Sequence, residues 1–350
     1  MSARRARGLD PRRLAIGVLA ALGLGMAAGI AVVLLTGGGA LLTAAAKLPL
    51  WALAAAIALT VASWFGQGVS FAALTTRRVS GQVRSMTSAF LGGDFPALAT
   101  PFGSGGIPGG VFALTREGLE PGAAGAVVAM HSLLTSVFFA VAGVIAAVVL
   151  PMRVAHSGAA VWSGFAGAMV VLGIIAWLAL RPRRAVALVE RLASGAIAVR
   201  VLGAERSAAI VAAAEREAGL FATGVRRLTR ERPAVLALSF AALAFSRGCL
   251  AAVLLVVMYG LGWRGDAVAV IAVAVAAMVL TIAAPTPGGS GAVEAAMAAL
   301  LATLTTAPIA GAAALLWRAV TFYGEMLVGW FVFSRYVAQP VAPHAAGGAE

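Results

Sequence analysis

The sequence predicts an all-α polytopic membrane protein with about six full transmembrane helices and two re-entrant helical hairpins of inverted orientation. Of its 350 residues, 61% are hydrophobic and only 11% are charged, and the mean hydropathy is +0.98. Soluble domains carry about 25% charged residues, so most of this surface must face lipid. The spacing of the apolar runs and the distribution of arginine support the same fold class.

Six apolar runs are long enough to cross a bilayer, which takes about 20 helical residues. We predict spans at 14–35, 50–72, 122–150, 159–180, 234–261 and 309–334. The first run is longer than the apolar core of a cleavable signal, so we expect it to be retained as a span. Residues 1–13 and 337–350 are then cytoplasmic tails, the second one disordered, around a single transmembrane domain at 14–336.

Two further apolar stretches, at about 86–115 and 267–304, are interrupted by proline and glycine. Proline ends a helix because it lacks an N–H group and clashes with the preceding turn. Irregular backbone at membrane depth is tolerated only where protein or a wet cavity surrounds it. We therefore interpret each stretch as a re-entrant hairpin made of two half-helices.

The basic residues predict the orientation of the chain. With the N-terminus inside, 21 of the 26 basic residues fall in cytoplasmic segments, three fall outside and two lie within spans. This bias follows the positive-inside rule. It places both termini on the cytoplasmic side of a bacterial cytoplasmic membrane, and the two hairpins then enter from opposite sides.

The net charge of +13 does not indicate a nucleic-acid partner, because the basic residues cluster in loops without interleaved aromatic residues. The segment 181–232 alone carries eleven arginines in an amphipathic pattern. We predict that it forms a helical elbow lying on the anionic headgroups of the inner leaflet.

The two interruptions repeat one motif. The first reads Thr100-Pro101-Phe102-Gly103-Ser104-Gly105-Gly106, and the second reads Thr286-Pro287-Gly288-Gly289-Ser290-Gly291. Paired, interrupted segments in two halves of a chain indicate a transporter's binding site. The free N–H groups at the start of each outgoing half-helix suit a phosphate. Close packing alone would explain either interruption, but the match between the two favours a site.

Three charged residues fall inside predicted spans. They are Arg247, Arg318 and Glu325. A charge facing lipid costs at least about 2.5 kcal/mol, so these side chains must face the protein interior. Two interpretations stay open: a structural pair between an arginine and Glu325, or a cationic site for a lipid phosphate in which Glu325 orients an arginine.

Three other ionisable residues have a simpler interpretation. Glu294 lies in the first turn after the second motif, where a carboxylate caps a helix; contact with a cationic headgroup or a proton is the alternative. Asp94 is explained by turn chemistry at the first interruption. His131 is a packing residue in its span, or else a proton relay.

Several functional classes are excluded or disfavoured. A single cysteine, Cys249, excludes intrachain disulfides and multi-cysteine metal sites. There is no Walker A motif, so we expect no ATP hydrolysis by this chain, and we predict no metal, no cofactor and no nucleic-acid partner. Gly288-x-Ser290-Gly291 matches a short motif of intramembrane serine proteases, but no histidine follows it in any span to act as base.

The motifs together resemble a known family. The run Pro285-Thr286-Pro287-Gly288-Gly289-Ser290-Gly291-Ala292-Val293-Glu294 resembles the Pro-x-Pro-Gly-Gly-x-Gly-x-x-Glu signature of the lysylphosphatidylglycerol synthase transmembrane, or flippase-like, family. The segments 100–108 and 114–118 are similar to its first conserved block, and 316–323 to its last-span arginine block. Ser290 departs from the family, which often has an apolar residue there.

This resemblance extends over about residues 14–336 and implies a lipid-translocating protein. The chain ends soon after its last span, so we expect no aminoacyl-transfer domain and no enzymatic activity. The expected partners are membrane phospholipids or lipid-linked phosphates: aminoacylated phosphatidylglycerol, another anionic lipid or a polyprenyl phosphate. An intramembrane enzyme using Glu294 with His131, or a non-catalytic scaffold, is the alternative. Homo-oligomerisation stays open.

Overall fold

The computed structural model describes residues 45–75, 82–153, 233–284 and 286–339, with isolated positions at 43, 166, 167, 170 and 173. The described residues form helices and connecting turns and no strand, which confirms the all-α fold class. The predicted first span and elbow lie outside the described residues, as do the N-terminal tail and nearly all of the span at 159–180 and of the C-terminal tail.

Eight helices follow one another in the described residues. They are α1 (Leu50–Leu74), α2 (Val83–Ala99), α3 (Gly106–Arg116), α4 (Pro121–Arg153), α5 (Pro233–Gly260), α6 (Ala267–Ala283), α7 (Ala292–Leu301) and α8, which runs Ala307–Arg318, passes through a π-helical turn at Ala319–Tyr323 and continues as Gly324–Ala338.

Three of these helices, α1, α4 and α5, are long and apolar enough to cross a membrane. They coincide with the predicted spans at 50–72, 122–150 and 234–261, and α8 covers the predicted span at 309–334. On α4, Val141, Val144 and Val148 are each more than half exposed, and they lie on one face because they are three and four residues apart. Such a surface is suited to contact with lipid. Together with the three long apolar helices, it indicates a polytopic membrane protein.

Each interrupted stretch forms a short helix, a break and a second short helix. The helices contain 17 and 11 residues in the first stretch and 17 and 10 in the second. None of them reaches the length of about 20 residues that a full span needs. The chain thus breaks where proline and glycine predict it, and the entry of each stretch from an opposite leaflet stays a prediction.

The two halves of the described chain pack in a matching way. Helix α1 packs on α5, α2 packs on α8, and α6 packs on α4. Within each half the two short helices also pack on each other, α2 on α3 and α6 on α7. The break at Pro101–Gly103 contacts the break at Pro287–Gly289. This pairing brings both breaks together between the two halves.

Small polar residues let α1 and α5 approach closely. Ser63 and Ser246 share a hydrogen bond of 2.9 Å between their hydroxyl groups, and Ser70 and Ser239 share one of 2.8 Å. A Cβ atom on Gly66 would lie 3.0 Å from the carbonyl oxygen of Ala242. Contacts of this kind are typical of helices that associate inside a membrane.

Candidate functional site

The two breaks have the same backbone conformation. Phe102 has φ 55° and ψ 17°, and Gly288, at the matching position of the second motif, has φ 55° and ψ 16°. The threonine two residues before each of them is extended, and the glycine after each also has positive φ. Positive φ is uncommon for a residue with a side chain, so Phe102 is strained where Gly288 is not.

The threonine hydroxyl groups hold the breaks together. Thr100 donates to the carbonyl oxygen of Pro96 at 2.7 Å and accepts from the backbone N–H of Gly105 at 2.8 Å. Thr286 donates to the carbonyl oxygen of Ser290 at 2.9 Å. Both hydroxyl hydrogens are therefore used within the breaks and are not free for a ligand.

Arg318 is held by the second break. Its Nε donates to Oε1 of Glu294 at 2.9 Å, and a terminal nitrogen donates to the carbonyl oxygen of Gly288 at 2.8 Å. Glu294 accepts a second hydrogen bond, from the N–H of Gly291 at 2.8 Å, and so caps α7 as the sequence indicated. Arg318 is 2% exposed and Glu294 is 0% exposed, so this is a fully buried ion pair.

The sequence analysis left open a pair between an arginine and Glu325, and Arg318 is not that arginine. The two residues are seven apart, which would place them on one face of a regular α-helix. The π-helical turn at Ala319–Tyr323 lies between them. Such a turn accommodates one extra residue, which rotates the following helix by about 100°. Glu325 therefore faces other partners, while Arg318 binds Glu294.

Those partners are Asp94 and Arg247. Asp94, Glu325 and Arg247 line one cavity, and both carboxyl groups interact electrostatically with Arg247. The Nε of Arg247 is buried without a hydrogen-bond partner, and its guanidinium group lies 5.4 Å from the ring centre of Phe139. The sequence analysis assigned Asp94 to a turn. This prediction is wrong, because Asp94 lies within α2.

Two adjoining cavities surround this charge cluster, with volumes of about 330 and 280 Å³. Six residues line both of them: Asp94, Gly103, Thr135, Phe139, Arg247 and Ile282. The larger cavity extends to His131, and the smaller one extends to Glu325 and the second break. Asp94 and Arg247 thus lie in the wall that the two cavities share, and Glu325 lines the smaller cavity.

The predicted site residues divide into two groups. Those that line a cavity are Gly103, Gly106, His131, Arg247, Thr286, Gly288, Arg318 and Glu325. Those that line neither are Thr100, Ser104, Gly105, Pro287, Gly289, Ser290, Gly291 and Glu294. The second group shapes and caps the breaks. Pro101 belongs to the first break, and its side chain is not described.

His131 lies at the far side of the larger cavity. It is 8% exposed, its Nδ1 is 3.1 Å from the hydroxyl of Ser70, and its ring lies 4.5 Å from that of Phe71 in an edge-to-face arrangement. The intramembrane-enzyme alternative pairs His131 with Glu294, but Glu294 forms its hydrogen bonds with Arg318 and Gly291. The described hydrogen bonds therefore give His131 and Glu294 different partners.

The sequence analysis missed Trp64 and Gln67 on α1. The indole N–H of Trp64 is buried without a hydrogen-bond partner. Gln67 is 1% exposed, and neither polar atom of its amide has a hydrogen-bond partner. A glutamine in the middle of an apolar span is a signal that could have drawn attention to this face of α1.

The fold and the site define an all-helical membrane protein with two interrupted helix pairs that meet beside a cluster of three charged side chains. The sequence model of the family described as "Lysylphosphatidylglycerol synthase TM region" matches residues 15–329. Because this match covers most of the chain, the protein belongs to that family, and the resemblance of its motifs is confirmed. The family relates it to lipid synthesis or flipping. No curated protein and no solved structure matches the chain significantly.

Proposed function

We propose that the protein is a lipid transporter that moves a phosphate-bearing lipid between the two leaflets of a bacterial cytoplasmic membrane. The observation that carries this proposal is Arg247. Its guanidinium group lies in the wall shared by the two cavities, and its Nε donor has no protein partner. The guanidinium group is therefore the cationic donor that a phosphate in either cavity would meet.

Arg247 suits this role better than Arg318 does. A guanidinium group binds phosphate through several fixed N–H donors. Arg318 already uses its Nε and one terminal nitrogen for Glu294 and Gly288. In this proposal Arg318 shapes the second break, and Arg247 contacts the lipid headgroup.

The backbone of the first break supports the proposal. Gly103 has φ 64° and lines both cavities, and a Cβ atom built on it would have no neighbour within 4 Å. The main chain is therefore accessible to a ligand at this point. Phe102 and Ile107, at 64% and 62% exposed, provide apolar surface beside it, suited to the acyl chains of a lipid.

The matched packing of the two halves supports transport by alternating access. Many transporters consist of two inverted repeats that rock around a site at the bilayer midplane. Here α2 of the first half packs on α8 of the second, α6 of the second half packs on α4 of the first, and the two breaks are in contact. The charge bias of the loops, 21 basic residues inside against three outside, supports the inverted orientation and cytoplasmic termini.

The headgroup class follows from this chemistry: an anionic phosphate ester, such as aminoacylated phosphatidylglycerol, another anionic phospholipid or a polyprenyl phosphate. No aminoacyl-transfer activity is part of the proposal. The arginine-rich segment 181–232 is proposed to rest on anionic headgroups of the inner leaflet. Association into homo-oligomers stays an open prediction.

The test is lipid movement in proteoliposomes. Fluorescent phosphatidylglycerol is placed in one leaflet, and its accessibility to an external quencher is followed over time. Arg247→Gln should lower the initial rate at least about tenfold, because a hydrogen bond to a charged group contributes roughly 1.5–3 kcal/mol. Arg84→Gln, which removes an exposed charge on the first turn of α2, is the matched control and should keep the wild-type rate.

Two results would contradict the proposal. Wild-type protein that moves neither phosphatidylglycerol, aminoacylated phosphatidylglycerol nor a polyprenyl phosphate faster than empty liposomes excludes transport. Equal rates for Arg247→Gln and wild type exclude Arg247 as the headgroup ligand.

A further inference from the structure

The charge cluster contains two carboxyl groups that the proposed phosphate site does not use. Asp94 comes from α2 and Glu325 from the second part of α8, and both face Arg247 of α5. Asp94, Glu325 and Arg247 line the smaller cavity together. Glu325 is buried, and Asp94 and Arg247 are partly buried.

Two carboxyl groups in one cavity of the membrane interior favour the uptake of a proton. Two carboxylates repel each other in a low-dielectric environment. One bound proton leaves the pair with a single negative charge. That charge balances the single positive charge of Arg247, and a neutral cluster is the state that a membrane interior favours.

Gln67 gives an independent indication that a small polar ligand enters this region. Its side chain is 1% exposed, and both polar atoms of its amide lack a protein partner. Trp64 and Phe71, three residues before it and four after it, lie on the same face of α1. The indole N–H of Trp64 is likewise buried without a hydrogen-bond partner, and Phe71 lines the larger cavity together with Asp94. This face of α1 thus carries unpartnered polar groups next to a residue of the cavity wall.

We propose that Asp94 and Glu325 form a proton-binding site that couples lipid movement to proton movement, an inference that rests on the proposed function. The pair holds one proton while Arg247 binds no phosphate. A phosphodiester adds one negative charge beside Arg247, and the pair then takes up a second proton, which restores neutrality. One lipid anion and one proton therefore cross together without net charge transfer.

Thermodynamic linkage makes this coupling reciprocal. Proton uptake by the carboxyl pair strengthens phosphate binding by the same factor by which phosphate binding strengthens proton uptake. A pH difference across the membrane is then an energy source for the lipid, and this would account for transport by a chain without an ATP-binding motif.

The other ionisable groups on the surrounding helices have partners of their own. They are His131 of α4, Glu294 of α7, and Arg318 and Tyr323 of α8. His131 contacts Ser70 through Nδ1, and Glu294 and Arg318 pair with each other. The carboxyl pair shares a cavity with Arg247, so its proton content can follow the charge of that cavity.

The first measurement tests the proton without requiring transport. Infrared spectroscopy of the purified full-length protein at neutral pH should show the carbonyl band of a protonated carboxyl group. Asp94→Asn and Glu325→Gln should each remove it, because the remaining carboxylate then pairs with Arg247. Glu117→Gln, which changes a carboxyl group outside both cavities, is the control and should leave the band unchanged.

The second measurement tests the coupling. Proteoliposomes containing fluorescent phosphatidylglycerol are given a pH difference, and the distribution of the lipid between leaflets is measured at steady state. Coupling of one proton to one lipid predicts a shift in the leaflet ratio of up to about tenfold per pH unit. In Asp94→Asn and Glu325→Gln the ratio should stay independent of pH, and in Glu117→Gln it should shift as in wild type.

Each outcome has a distinct meaning. If the infrared band is absent, or survives in both variants, the proton-binding site is refuted whether or not lipid moves. If lipid moves and the leaflet ratio does not change with the pH difference, the coupling is refuted and the proposed function stands. If the band depends on Asp94 and Glu325 but no lipid moves, the proposed function and the coupling both fail, and only the proton-binding site is upheld.

Discussion

Arg318 binds Glu294, the carboxylate that caps α7, and not Glu325, which lies seven residues further along its own helix. The same arginine binds the carbonyl oxygen of Gly288. One side chain of α8 thus fixes both the turn of the second break and the first residues of the helix that follows it. The second break is held by a buried ion pair, and the first has no equivalent among the described residues.

Removal of either member of this pair should destabilise the protein. Arg318→Gln or Glu294→Gln leaves a buried charge without its partner, which typically costs about 3–5 kcal/mol. We expect a clearly lower midpoint of thermal unfolding in detergent, measured by tryptophan fluorescence. The double variant should recover part of the loss because no lone charge remains. Single variants that unfold at the wild-type temperature would show that the pair contributes little.

Phe102 and Gly288 should respond in opposite ways to substitution. Phe102→Gly removes the penalty for positive φ, about 1–2 kcal/mol, and should raise or maintain the unfolding midpoint. Gly288→Ala introduces that penalty and also a Cβ atom that overlaps the ring of Phe322, so it should lower the midpoint. Phe102→Ala keeps the strain while it removes the ring, and separates the two effects. A stabilising Gly288→Ala would contradict the observed geometry.

The packing of α2 on α3 depends on Gly93. A Cβ atom at this position would lie 2.8 Å from the Cα atom of Gly110, so Gly93→Ala must push the two helices apart. Overpacking of this kind costs about 1–3 kcal/mol, and we expect a lower unfolding midpoint. Gly248→Ala on α5 is the matched control, because a Cβ atom there has no neighbour within 4 Å. Equal effects of the two substitutions would exclude the close contact.

The end of α8 is tied to the loop after α3. The hydroxyl of Tyr336 donates to Oε1 of Glu117 at 2.5 Å, and Arg116 donates to the carbonyl oxygen of Gln339 at 3.0 Å. Tyr336→Phe should cost about 1.5–3 kcal/mol, since the acceptor is charged. A double-mutant cycle with Glu117→Gln, read from chemical unfolding, should show that the two effects are not additive. Additive effects would show that the bond is not formed.

The sequence predicted the spans among the described residues well because apolar length is a local property of the chain. The predicted spans at 50–72 and 234–261 agree within two residues with Leu50–Leu74 and Pro233–Gly260. The breaks were also predictable, since proline and glycine act on their own backbone. That the two breaks touch could be inferred only from their shared motif and the assumed topology.

The charge cluster was harder to predict because it depends on helix register and on packing between distant helices. Arg247 was recognised as an interior charge, but its partner Asp94 was assigned to a turn. The π-helical turn within α8 has no clear sequence signature, and it decides that Arg318 and Glu325 have different partners. Gln67 was overlooked although an amide in an apolar span is itself a signal.

The two breaks share one backbone conformation but differ in what surrounds them. Gly288 lies under the ring of Phe322 and its carbonyl oxygen is bound by Arg318, whereas Phe102 is 64% exposed and Gly103 has open space beside it. The same short motif thus forms a closely packed break in one half and a more open break in the other. Thermal fluctuations of the cavity wall should accordingly be larger at residues 100–106 than at the second break, so that the two halves differ in stiffness.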